Sequence, residues 1–220
     1  MDIEKKMNSK SYRFFDFLYK LLIMNLITFL LSLLIITAFP AIVSLNATIK
    51  NDMDEVNPFK AYFRNFGHYF KKSFLIGLLI IVTVAIICFA FYFYAYAVPQ
   101  DTFNKIVFQM GVAVMIILMI IVIMLCVHLP LLIVSFTSLS IGETIKTSFY
   151  ISFRYFLTTL VLFGMFVLKI IGIALFPIWI IFGISLPTFL GIKITKPVYL
   201  KFEKIDLEKI MHQAEEDFYE

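Results

Sequence analysis

Five stretches of this 220-residue chain hold no Asp, Glu, Lys or Arg: 21–49, 73–100, 106–142, 155–168 and 170–192. A helix that spans lipid needs about 20 predominantly apolar residues, and a charge at the bilayer centre costs about 2.5–3.5 kcal/mol on insertion scales. The first three stretches are each long enough to cross. The last two are separated by Lys169 and together would form roughly 57 Å of helix, too long for one passage through about 30 Å of hydrocarbon. They divide near Phe176 and Pro177. None of the runs alternates like a barrel strand, and an open sheet edge has no place in lipid. The expected fold class is all-α, a polytopic transmembrane helical bundle of about five spans near 21–45, 73–98, 107–133, 155–175 and 177–195. These form a single membrane domain, residues 1–204, followed by a short tail, 205–220.

Composition supports this class. The chain is 61% apolar and 15% charged, where soluble domains carry about 45–50% and about 25%. All 15 acidic side chains lie outside the apolar runs, and the net charge of +4 bears on which loops face anionic lipid, with no basic soluble patch to suggest nucleic acid. Cys88 and Cys126 sit in apolar stretches as small hydrophobes, without disulfide or zinc-site spacing. The first apolar stretch exceeds a signal-peptide core and lacks a small-residue cleavage pattern before Pro40, so it reads as a retained span.

Basic residues set the orientation. With five spans, one side collects Lys50, Lys60, Arg64, Lys71, Lys72, Lys146, Arg154, Lys193, Lys196, Lys201, Lys204 and Lys209, twelve in all. The other collects seven: Lys5, Lys6, Lys10, Arg13, Lys20, Lys105 and Lys169. The richer side is expected to be cytoplasmic, with the C-terminal tail inside and the turn at 99–105 outside. This also places a basic N-terminus outside, against the rule. A first segment that re-enters, or a sixth crossing, would return residues 1–20 to the cytoplasm.

Two segments carry amphipathic signals. Asn57 is a good N-cap and Pro58 suits a first helical position; Phe59, Tyr62, Phe63, Phe66 and Phe70 then recur at helical spacing, with Lys60, Arg64, His68 and Lys71 opposite. An aromatic stripe backed by basic residues is expected in the headgroup plane, as an anchor or as a docking surface. Ser140 and Glu143 form a capping-box pattern that opens a second such helix, with Ile141, Ile145, Phe149, Phe153 and Phe156 on one side and Lys146, Tyr150 and Arg154 on the other. The two read as a weak parallel repeat of span, proline, surface helix and span: Pro40 leads to Tyr69-Phe70, and Pro130 to Tyr155-Phe156.

Three polar residues inside the runs are candidate intramembrane sites. Asn25 invites an interhelical hydrogen bond. His128, two residues before Pro130, is either functional or bonds a carbonyl that the proline frees. Lys169 falls roughly 22 Å beyond Arg154, where a lysine snorkels to the outer headgroups. Tyr92, Tyr94 and Tyr96 match an outer aromatic belt. Gly77, Gly111, Gly164, Gly172 and Gly183 could allow close helix approach. The chain has no phosphate-binding glycine loop, H-E-x-x-H, G-x-S-x-G or C-x-x-C, and no carboxylate in any span. Neither an enzyme, a cofactor nor a metal is expected.

From Tyr12 through Met24-Asn25-Leu26, on to Phe39-Pro40-Ala41 and the aromatic-basic segment Phe59 to Phe70, the chain resembles the YesL-like family of bacterial membrane proteins, built on a domain of unknown function. Met24-Asn25-Leu26 stands where that family shows leucine-asparagine-leucine, and Thr28-Phe29 where a tryptophan is common. The resemblance implies an accessory component beside carbohydrate uptake systems, with no catalytic residues to carry over. The expected function is a non-enzymatic accessory or regulator in the cytoplasmic membrane, whose partners are the bilayer and a transporter or sensor bound through Phe59, Lys60, Phe63, Arg64, Phe66, His68, Lys146 and Arg154. The alternative is a small permease for a neutral solute, with Pro40, Pro130, Pro177 and Pro187 breaking spans around a cavity. Ligand and oligomeric state are not legible.

Overall fold

The computed structural model describes residues 10–97, 102–175 and 183–219, and every regular element among them is helical. In chain order these are α1 (Lys10–Ser32), α2 (Ile35–Asn51), α3 (Pro58–Ala97), α4 (Thr102–Ser135), α5 (Ile141–Arg154), α6 (Phe156–Leu175) and α7 (Ser185–Tyr219). Among the described residues three helices are long and apolar enough to cross a membrane: α1, α3 over Pro58–Phe93 and α4 over Phe108–Ser135. There are four if α5 and α6, bent by 104°, count as one broken span. The all-helical membrane bundle is as expected, with fewer qualifying helices than five. The expected division at Phe176 and Pro177 and residues 99–101 of the expected turn lie outside the described residues, while 102–105 already belong to α4.

The expected first span is a hairpin. α1 stops at Ser32 and α2 returns antiparallel: Thr28 Oγ1 bonds the Tyr62 hydroxyl, which donates to the Ala41 carbonyl, while Lys20 Nζ reaches the Met53 carbonyl at 3.1 Å. Both open ends of the hairpin therefore lie on one face. The break has no proline or glycine. Two hydroxyls satisfy it, Ser32 Oγ donating to Thr28 O and Thr37 Oγ1 approaching the carbonyls of Leu31 and Leu34. Leu33, Leu34, Ile35 and Ile36 at the tip are all at least 60% exposed, a wedge of bare hydrocarbon. The tip is also short of the far side. Phe39 packs against Gly77 and beside Ile80, and α3 runs from Ile80 to Ala97, roughly 25 Å further.

α3 departs from expectation too. Asn57 caps it through Oδ1 to the Lys60 amide, but the aromatic-basic stretch continues without a break into the apolar run, as one helix of 40 residues and roughly 60 Å. A straight helix cannot lie in the headgroup plane and also cross. No proline stands between Pro58 and Ala97, so nothing stops propagation. The second copy behaves as read: Ser140 and Glu143 close a capping box, and α5 turns into α6 at Tyr155.

The core occupies one half of the bundle. Leu21, Met24, Leu45, Ile49 and Tyr62 pack between the hairpin and the start of α3; Val43, Ala47, Tyr69, Ile76, Leu129 and Ile133 pack where α2, α3 and α4 meet; Leu131, Leu132, Ile151 and Tyr199 join α4, α5 and α7. Beyond Ile80, α3 presents Val82, Ile86, Phe89 and Phe93 outward, and α4 presents Met110, Val114 and Ile117. In water these would be a large apolar patch; against lipid they carry no penalty.

Candidate functional site

Around Pro130, three helices are tied to α4 by hydroxyls. Pro130 supplies no amide to the Cys126 carbonyl four residues back, and the α5 hydroxyls approach the turn just before it. Ser148 of α5 donates to the Leu125 carbonyl at 2.9 Å, and Ser152, whose hydroxyl donates to the Ser148 carbonyl at 2.8 Å, lies 3.3 Å from the Met124 carbonyl. This explains the buried face of α5, which is Thr144, Ser148, Ile151 and Ser152, while Phe149 and Phe153 face outward. His128 is not the ligand of a freed carbonyl. Its Nδ1 lies 3.1 Å from the Tyr199 hydroxyl of α7 and its Nε2 3.0 Å from Thr159 Oγ1 of α6. Thr159 Oγ1 also faces the carbonyls of Ser152 and Tyr155, which only accept. The threonine proton therefore points to a carbonyl, Nε2–H donates to Thr159, and Nδ1 accepts from Tyr199. The ring is a neutral, fully bonded pin among three helices.

Asn25 pins α7 to the hairpin. Its Oδ1 accepts the amides of Ile184 and Ser185, both at 2.9 Å. These are amides a helix start leaves without an internal partner, and here they are buried, where water cannot serve them. The asparagine in the apolar run is an N-cap supplied from another helix.

Lys169 does not snorkel outward. Its Nζ donates to Thr188 Oγ1 at 3.0 Å and it lines a half-open central cavity of about 510 Å³ bordered by the hairpin, α3, α4, α6 and α7. Phe39, Ile80, Val84, Val122, Leu162 and Pro187 are among its apolar walls. The wall hydroxyls spend their protons on their own helices, Ser32 on Thr28 O, Thr188 on Ile184 O and Thr195 on Gly191 O, and Asn46 gives one of its two N–H groups to Ile42 O. A second cavity of about 410 Å³ shares Leu131, Ile192 and Tyr199 with the first and carries Lys50, Lys193 and Lys196. Nothing in the spacing of Lys50, Lys169, Lys193 and Lys196 announced either chamber.

The expected partner surface is only partly assembled. Phe59 and Phe63 are 56% and 41% exposed with ring centroids 4.7 Å apart, and Lys60 is exposed next to them, whereas His68, also exposed, lies on the other face of the helix against Tyr69. Arg64 is paired with Asp52 at 2.9 Å and Glu55 at 2.6 Å, and Phe66 packs against the core under the hairpin. Lys146 and Arg154 are exposed on α5, with Arg154 over the Tyr150 ring at 5.7 Å. At the start of α5 the Glu143 carboxyl is held below the usual carboxylate range, chiefly by the backbone amide of Ser140. Among the described residues no cluster of three or more His, Cys, Asp and Glu could hold a metal.

Apolar helices long enough to cross, with all but one of the described buried side-chain polar atoms, Ser185 Oγ, hydrogen-bonded inside, define a helical membrane protein. A family model described as "Protein of unknown function, DUF624" matches residues 21–91, which cover most of the hairpin and most of α3. No curated protein and no solved structure matches the chain.

Proposed function

We propose that the chain is a non-enzymatic accessory or regulatory protein of the cytoplasmic membrane, of the YesL-like kind, that docks on a membrane subunit of a carbohydrate uptake system. The carrying observation is the exposed Phe59–Phe63 pair next to Lys60, where α3 has not yet entered its charge-free run. Exposed aromatic pairs of this kind, here tilted at 47° to one another, anchor protein interfaces as well as headgroups. The hairpin supports a cytoplasmic placement of this face, because it brings Lys10, Arg13 and Lys20 to the side of Lys60, Lys71, Lys146 and Lys196, which removes the conflict with the positive-inside rule.

Purification of the tagged chain in mild detergent is expected to retain a transporter subunit, and Phe59→Ala with Phe63→Ala to release it while the protein stays folded. Recovery of the chain alone from native membranes would end this reading. The permease alternative draws on the central cavity, yet a neutral sugar needs several free donors, and those of the wall hydroxyls are already used.

A further inference from the structure

We propose that the central cavity binds an amphiphilic organic anion, a single-chain carboxylate whose head pairs with Lys169 and whose body lies against the apolar wall. The argument starts from an imbalance. Lys169 brings an ammonium with three donors into a cavity of about 510 Å³, and one hydroxyl, Thr188 Oγ1, answers it. No acidic residue occurs anywhere from 144 to 202, and among the described residues none lines the cavity. A cation in low dielectric without a counter-ion is costly, and one supplied by a ligand makes a short charge-assisted hydrogen bond there. The volume lies within the about 300–1,000 Å³ of small-molecule sites, and a largely apolar wall with a few convergent polar groups is their usual make-up.

The second cavity supplies the approach. Lys50, Lys193 and Lys196 raise the local concentration of anions at its wall, and Leu131, Ile192 and Tyr199 are all that it shares with the inner chamber. The lysines at the outer chamber favour the negative charge, and the apolar inner wall favours the chain. A phosphate-rich or sugar ligand meets only the first of these demands. The site does not depend on the proposed docking role, and its test leaves the Phe59–Phe63 surface untouched.

Dodecanoate is the probe, titrated into the intact protein in a neutral detergent, with dodecanol, a monosaccharide and diacyl phosphatidylglycerol as parallel arms. Saturable binding of dodecanoate is expected, weakened roughly tenfold or more in Lys169→Met. The double variant Lys193→Gln, Lys196→Gln is expected to slow association and flatten its salt dependence, with a smaller change in affinity. Thermal unfolding of each variant without ligand shows that it is folded, and Thr188→Val, which keeps the ammonium, serves as a second probe expected to retain binding. Equal affinity in folded Lys169→Met, equal binding of dodecanol, loss of binding only in the Lys193/Lys196 variant, competition by phosphatidylglycerol at equal strength, or no binding at all would each overturn the proposal.

Discussion

α3 and the α5–α6 pair carry the same local text and fold differently. Both read Tyr-Phe-x-x-hydroxyl, Tyr69 to Ser73 in one and Tyr155 to Thr159 in the other. In α3 the Ser73 hydroxyl turns back to the Tyr69 carbonyl at 2.7 Å and the helix runs on. In the second copy the Thr159 hydroxyl reaches the Ser152 carbonyl at 3.0 Å, one that a continuous helix would pair with the Phe156 amide, and the chain bends by 104°. The cause lies in the neighbour. α3 lies along α2, which offers Thr48 and Asp52 to Asn65 and lets Phe39 meet Gly77. α5 is drawn across α4 by carbonyls beside Pro130, and His128 holds the threonine on the far side of the bend.

The largest effect is expected at the bend. Thr159→Val leaves His128 Nε2 and the Ser152 carbonyl buried without partners and is expected to destabilise the folded protein by about 2–4 kcal/mol, read by unfolding in detergent. Next comes the straight copy. A Cβ at Gly77 would stand 2.8 Å from Phe39 Cβ, so Gly77→Ala is expected to push α2 from α3 at a cost of about 1–3 kcal/mol. Cross-linking of cysteines placed at Val43 and Ser73 would report the separation. Ser73→Ala removes only a bond that the side chain makes to its own helix, and a change under about 1 kcal/mol is expected in the same unfolding assay. A loss as large as that of Thr159→Val would mean the two hydroxyls do the same job. The smallest effect concerns pH. Because the folded state depresses the Glu143 pKa, the capping box contributes fully above the usual carboxylate range and fades as pH falls through the depressed value. Protection of the amides in the first turn of α5, taken relative to their intrinsic exchange rate at each pH, is expected to fall on acidification in the wild type and to stay flat in Glu143→Gln.

The helical class, the long spans and both N-caps could be read in the sequence, because exclusion of charge from lipid and the chemistry of Asn57 and Ser140 act locally. The hairpin could not, since its break at Leu33–Leu34 is as apolar as its surroundings. The one available signal was Ser32 and Thr37 flanking the break, hydroxyls able to serve freed carbonyls inside lipid. His128 and Asn25 stood out as polar residues in apolar runs, whereas their partners, Tyr199 and the start of α7, are 71 and about 160 residues away and follow only from the packed fold. Lys169 misled because rise along a helix gives height and not direction. Its height suggested the outer headgroups, and the side on which α7 packs turned it inward.

The hairpin that enters and leaves by one face has a mechanical consequence. It adds two helices to the cross-section of one leaflet and, with its tip roughly 25 Å short of the end of α3, nothing comparable to the other. A body broader at one end displaces unequal areas of lipid and sits with least stress where the membrane is already curved. Partition between small and large liposomes would register that taper as a preference for one radius.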